Sequence, residues 1–159
     1  MNAPDRETGY CFFSIGTVHS PFDTRESIPM ERCTGSDGFV DVEGEIEIFP
    51  EFIPGLKDIE GFSHLIILFV FHKTDDNKLT ASPPYDHIER GVFATRSPAR
   101  PNSIGLTVVR LREVRGDRLI VSGLDMIEGT PVLDIKPYTL RDRKKNISLG
   151  WLEPFVDKD

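Results

Sequence analysis

From Val40 to Ile48 the chain alternates without a break, with Val40, Val42, Gly44, Ile46 and Ile48 on one parity and Asp41, Glu43, Glu45 and Glu47 on the other. Only an extended backbone, with its period of two, can bury the first set while wetting the second. The stretch therefore predicts a long half-buried strand with an acidic outer face, and Gly44 predicts a bulge or bend midway. Those acids read as solvated residues rather than metal ligands, because neighbours on one strand face without histidines seldom chelate. Further on, Leu65 to Phe71 is apolar at every position. That run predicts a second, central strand covered on both faces.

Other extended segments fall at Tyr10 to Val18, Gly91 to Thr95, Ser103 to Val114, Arg118 to Ser122 and Pro131 to Tyr138, rich in β-branched and aromatic residues. Arg115-Gly116-Asp117-Arg118 supplies a hairpin turn. No stretch shows a convincing long helix, and 159 residues suit one domain spanning 1–159. The expected fold is all-β: a small closed β-barrel of about seven strands with long connecting loops and no Rossmann domain. Residues 1–9 read as a frayed polar tail, and 139–159 as a C-terminal extension that packs Trp151, Leu152 and Phe155 on the barrel. Thr24 to Gly38 is an aperiodic arm, and Lys73 to Arg90, with Pro83-Pro84, suits a lid.

Net charge is −7, which argues against a generic nucleic-acid coat. Charge is unevenly spread, however. Seven arginines fall between Arg90 and Arg118 against Glu113 and Asp117, while seven acids fall between Asp41 and Glu60 against Lys57. Such a two-sided molecule can still present a basic face to a polyanion. Cys11 and Cys33 give neither a disulfide framework nor a metal spacing and suit a reducing compartment. His19, His64, His72 and His87 show no zinc-ligand spacing, so no metal is expected. The start of the chain has no signal-peptide character and the longest apolar run is far short of a membrane span, so the expectation is a cytoplasmic protein away from membranes. A Gly-x-Ser-x-Gly elbow, a phosphate-binding loop and a dinucleotide fingerprint are all missing from the sequence.

Between the strands around 91–95 and 103–114, Pro98 and Pro101 stiffen a loop that carries Arg96 and Arg100. A planar guanidinium held by a stiff backbone suits a carboxylate or phosphate, although pairing with nearby acids is an equally ordinary use. Closure of the barrel would gather Ser20-Pro21-Phe22, His72-Lys73, Arg96 to Asn102 and Asp125 to Glu128 on one rim. Arginine for an anion, carboxylates for a ribose or an amine and an aromatic for a flat base together match an adenosyl ligand that carries an amino acid.

Four blocks carry a resemblance to a known family: I-G-T-V-H-S-P-F at 15–22, G-F-S-H-L-I-I-L-F-V-F-H at 61–72, G-V-F-A-T-R-S-P-A-R-P-N-S-I-G-L at 91–106 and L-D-M-I-E-G-T-P-V-L-D-I-K-P-Y at 124–138. The chain resembles the TsaA-like family of tRNA N6-threonylcarbamoyladenosine-37 N6-methyltransferases. The resemblance implies a homodimeric β-barrel that binds S-adenosylmethionine and acts on tRNA. It implies cofactor contacts from Ser20, Pro21, Phe22, His72, Lys73, Arg96, Leu106, Asp125, Met126, Ile127 and Glu128. Ser103 stands where many members have proline, and the extra C-terminal domain of longer members is not expected after Trp151. Arg100, Arg141, Arg143, Lys144 and Lys145 are the candidates for tRNA phosphates. Catalytic candidates are Asp134 as proton acceptor, Lys136 on the carbamoyl oxygen and Tyr138 stacking or hydrogen bonding, although alternation could equally put them on an outer face. A non-catalytic sensor of the cofactor, an RNA-binding barrel and a methyltransferase for another acceptor are the competing readings.

Overall fold

The computed structural model describes residues 9–33 and 38–156. Apart from Gly9 the expected polar tail lies outside the described residues, as do 34–37 of the arm and 157–159 of the C-terminal extension. Among the described residues eight strands form: β1 (Gly16–His19), β2 (Glu43–Ile48), β3 (His64–Val70), β4 (Thr80–Ala81), β5 (Arg90–Gly91), β6 (Ile104–Arg115), β7 (Arg118–Ser122) and β8 (Pro131–Pro137). Six of them pair antiparallel in the order β1-β2-β7-β6-β3-β8. The order returns to its start, because Gly16 pairs with Val132 and Thr17 with Pro131, and the sheet closes on itself as a barrel. β4 and β5 stand apart as a two-stranded ribbon. The ring thus has six strands where about seven were expected.

Pattern explains the core. In β2, Ile46 and Ile48 point inward; β3 contributes Leu65, Ile67 and Phe69, β6 Val109, and β7 Leu119 and Val121. Val18, Val132, Leu124 and Met126 fill the remaining space. Complete burial of such side chains stabilises by about 1.5–3 kcal/mol each before chain entropy is counted. Gly105 faces Phe69 across the β3–β6 pair, and its missing side chain leaves room for the Phe69 ring.

Four sequence expectations change. β1 begins at Gly16 rather than Tyr10, and Tyr10, Phe12 and Phe13 remain exposed. Apolar character alone does not give a residue a partner strand. The segment expected as a strand over 91–95 holds only the end of β5, followed by a 3-10 turn at Val92–Ala94. β3 is not evenly covered: Leu65, Ile67 and Phe69 are buried while Ile66, Leu68 and Val70 are half-buried on the outer wall. Finally, Gly44 causes no bulge, since β2 pairs in uniform register with both neighbours. A Cβ there would sit 2.6 Å from the His19 carbonyl oxygen, so close backbone approach is what requires glycine.

The C-terminal segment is a buttress. A 3-10 turn at Gly150–Phe155 presents Trp151, whose indole Nε1 donates to the Ala94 carbonyl at 2.8 Å. The Arg90 guanidinium lies 3.9 Å from the centre of the Trp151 ring and forks onto Asp86 at 2.7 and 2.6 Å. Tyr85 stacks on Phe155 with ring centres 5.7 Å apart. These contacts brace the approach to the Arg96 loop.

Candidate cofactor site at the barrel rim

Ser20 follows β1 directly, and its turn is laced to the loop between β7 and β8. The Ser20 hydroxyl donates to the Met126 carbonyl at 2.5 Å, and the Ser20 N–H donates to Glu128 Oε2 at 2.7 Å. The Glu128 N–H in turn donates to the Phe22 carbonyl at 2.7 Å. Gly129, at φ +77, lets the loop reverse and donate to Val18 before β8 begins. Lys73 reaches in from the end of β3, its Nζ donating to the Asp23 carbonyl at 3.2 Å. The 20–22 and 125–128 turns therefore touch each other, and Lys73 reaches the residue that follows the first of them.

Arg96 completes the set electrostatically. It is exposed, makes no hydrogen bond or ion pair among the described residues, and lies near enough to Asp125 for its charge to act on that carboxylate. Burial pushes the Asp125 carboxyl above the ordinary aspartate range, opposed by a hydrogen bond from Thr107 and by the Arg96 charge. Among the described residues Asp125 Oδ1 is buried without a hydrogen-bond partner. A buried acceptor left unpaired costs free energy, so this atom fits a ligand that brings a donor. Beside the cluster an open cleft of about 490 Å³ runs between Thr24, Arg25, Lys73, Thr74 and Ala99. Its volume is that of a small-molecule site.

Other candidates are placed differently. Met126 contributes its backbone carbonyl while its side chain is core. Ile127 lends its carbonyl to the Thr130 hydroxyl at 2.7 Å, tightening the loop. Pro21 and His72 are exposed on the rim. Leu106 is not brought to the cluster: β6 alternates, Thr107 turns inward to Asp125, and Leu106 stands 45% exposed on the outer wall. Arg100 folds back on its own loop, donating to the Thr95 and Ser97 carbonyls at 3.2 and 3.3 Å. Asp134 and Lys136 pair with each other at 2.7 Å opposite Leu68 and Ile66 of the outer wall. Tyr138 lies past the far end of β8, its ring 6.2 Å from that of His64. Arg143 lines a second open cleft there, with Phe62 and Tyr138.

Sequence reasoning missed two participants, Thr107 and His19. Thr107 is a polar residue on the inward parity of β6, between Gly105 and Val109, which is a legible signal. His19 bridges Glu128 and Glu47, at 3.0 and 2.6 Å, and nothing along the chain announces either partner. The expectation that Glu45 and Glu47 are merely solvated is corrected too. Both lie on the outer face, yet Arg118 spans them at 2.8 and 3.1 Å.

The chain is thus a small six-stranded antiparallel β-barrel, with the exposed Arg96 guanidinium and the unpaired Asp125 Oδ1 at one rim. The pattern that defines the tRNA-methyltransferase O N-terminal domain matches residues 17–142, and the chain belongs to that family. It is 46% identical over 149 residues to the "Probable S-adenosyl-L-methionine-binding protein" of Pyrococcus abyssi, covering 93% of this chain and 79% of that one. Human "tRNA (adenine(37)-N6)-methyltransferase" is 40% identical over 161 residues, 97% of this chain but 35% of the human protein. Among solved structures, TrmO from Pseudomonas aeruginosa superposes with a TM-score of 0.73 at 34% identity, over 91% of this chain and 63% of that one.

Proposed function

We propose that the rim cluster binds S-adenosylmethionine and that the chain methylates N6 of adenosine-37 in tRNA, with threonylcarbamoyladenosine as the acceptor nucleoside. The orphaned Asp125 Oδ1, set where the 20–22 and 125–128 turns meet and within reach of the Arg96 charge, carries this reading. The bound donor supplies a methyl group on a sulfonium, ready for in-line displacement. The protein's part is to hold and to orient. Asp125 accepts from a ribose hydroxyl or an ammonium, Arg96 offers its free fork to a carboxylate, and the half-buried Phe22 borders the site with an aromatic face.

Lys144, Lys145, Arg141 and Arg143 serve tRNA phosphates in this reading. Arg100 takes a structural part, since its fork is spent on its own loop. Asp134, Lys136 and Tyr138 have no part in cofactor binding within one protomer, because they lie on the outer wall or beyond it. In this reading a homodimer forms on that wall, a proposal supported by the apolar surface that Ile104, Leu106 and Val108 expose beside Ile66, Leu68 and Val70.

The deciding experiment incubates the protein with methyl-labelled S-adenosylmethionine and tRNA with or without the threonylcarbamoyl group. Label on N6 of adenosine-37, dependent on that group, is the expected result. Cofactor binding without transfer would mark a sensor, and tRNA binding without cofactor binding an RNA module. Either would overturn the proposal.

A further inference from the structure

His19 stands at the end of β1 with both ring nitrogens engaged. Nδ1 meets Glu128 Oε1 at 3.0 Å and Nε2 meets Glu47 Oε2 at 2.6 Å. An ionised carboxylate only accepts hydrogen bonds, so bridging two of them requires both nitrogens to donate, which only imidazolium does. The other oxygen of Glu128 takes the Ser20 N–H at 2.7 Å. Glu128 is therefore fixed from two sides, by the backbone of the serine turn and by a cation seated on β1.

That cation is held in turn. Glu45 lies opposite His19 in the β1–β2 register, and Arg118 on β7 joins Glu45 to Glu47. The charged groups around His19 are thus Glu45 and Glu47 of β2, Arg118 of β7 and Glu128 of the rim loop.

We propose that protonated His19 is a positioning residue, holding the Glu128 carboxylate and with it the 125–128 turn in the arrangement that accepts the cofactor. The inference rests on the reading of the rim as an S-adenosylmethionine site. Hydrogen bonding to Glu47 first, and then Glu128, holds the imidazole charged above its ordinary range against partial burial and the Arg118 charge. Glu47 and Glu128 are both held below the ordinary glutamate range. The bridge accordingly persists across the acid side of neutrality and is lost as pH rises through the raised His19 value.

The test measures S-adenosylmethionine affinity by calorimetry between about pH 6 and about pH 9 for the full chain and its His19→Gln and Glu47→Gln variants. With a third of the His19 side chain exposed, the expected loss on deprotonation is about threefold to fivefold in affinity. His19→Gln should show that weaker affinity throughout. The ligand's own ammonium titrates alike in every protein, so the difference between profiles isolates His19. Glu47→Gln should move the His19 midpoint down, as followed by NMR of its ring proton. Binding with parallel profiles for wild type and His19→Gln would overturn the proposal alone. Failure of the wild type to bind S-adenosylmethionine at any pH would overturn the site reading as well.

Discussion

The Phe69 ring occupies the space over Gly105, its Cζ only 2.2 Å from where a Cβ on that residue would fall. The two residues are direct partners across β3 and β6, so neither can move without opening the ladder. Gly105→Ala should displace the ring from the core and lower stability by about 1–3 kcal/mol. Chemical denaturation of variant and wild type checks this, and an unchanged midpoint would contradict the packing.

Asp125 predicts opposite effects on stability and binding. Its carboxyl is pushed up by burial, and a folded value raised above the unfolded one adds stability that is lost as pH rises through it. Where it is ionised, the group therefore burdens the free protein. Asp125→Asn should melt at the same temperature as wild type or higher near neutrality, while S-adenosylmethionine affinity falls by about tenfold or more. Thermal scans with and without the cofactor report both.

Arg96 has a free fork beside that carboxylate. Arg96→Ala should weaken S-adenosylmethionine by about tenfold to a hundredfold, the usual cost of losing a charge-assisted pair. Calorimetry decides it. Unchanged affinity would remove Arg96 from the site.

Lys144→Gln and Lys145→Gln together should lower tRNA affinity at low salt and reduce the slope of log affinity against log salt by up to about two. An unaltered slope would make the basic segment structural.

The chain's single tryptophan reports on the buttress. The Arg90 fork holds the Asp86 carboxyl down to about 2, so the pair persists above that value and fails only as pH falls through it. Asp86→Asn, at neutral pH, should free Arg90 from one partner and shift Trp151 emission. Emission identical to wild type would show that the indole does not sense the pair.

Much of the sheet was legible because one wet face enforces a period of two. Ile46 and Ile48 of β2 are buried on the parity that alternation selects, whereas the unbroken apolar run of β3 gave no sign that Leu65, Ile67 and Phe69 face inward and Ile66, Leu68 and Val70 outward. The β6–β7 hairpin is similarly local, needing only Gly116 at φ +62 in its tight turn. Apolar residues without a register misled: Tyr10, Phe12 and Phe13 look like strand but meet no neighbouring strand. The rim was legible as segments rather than as contacts. The serine and carboxylate turns stand out along the chain, whereas the bond from His19 to Glu128 joins residues 109 positions apart. No local pattern encodes such a partner.

Closure through Gly16 and Val132 also orders events in time. During synthesis the first ring strand must wait, unpaired on one side, until the segment carrying Val132 emerges. Loop-closure entropy opposes that late meeting, and nascent chains halted before it should display β1 and β3 with open edges, the substrate a holding chaperone would seek.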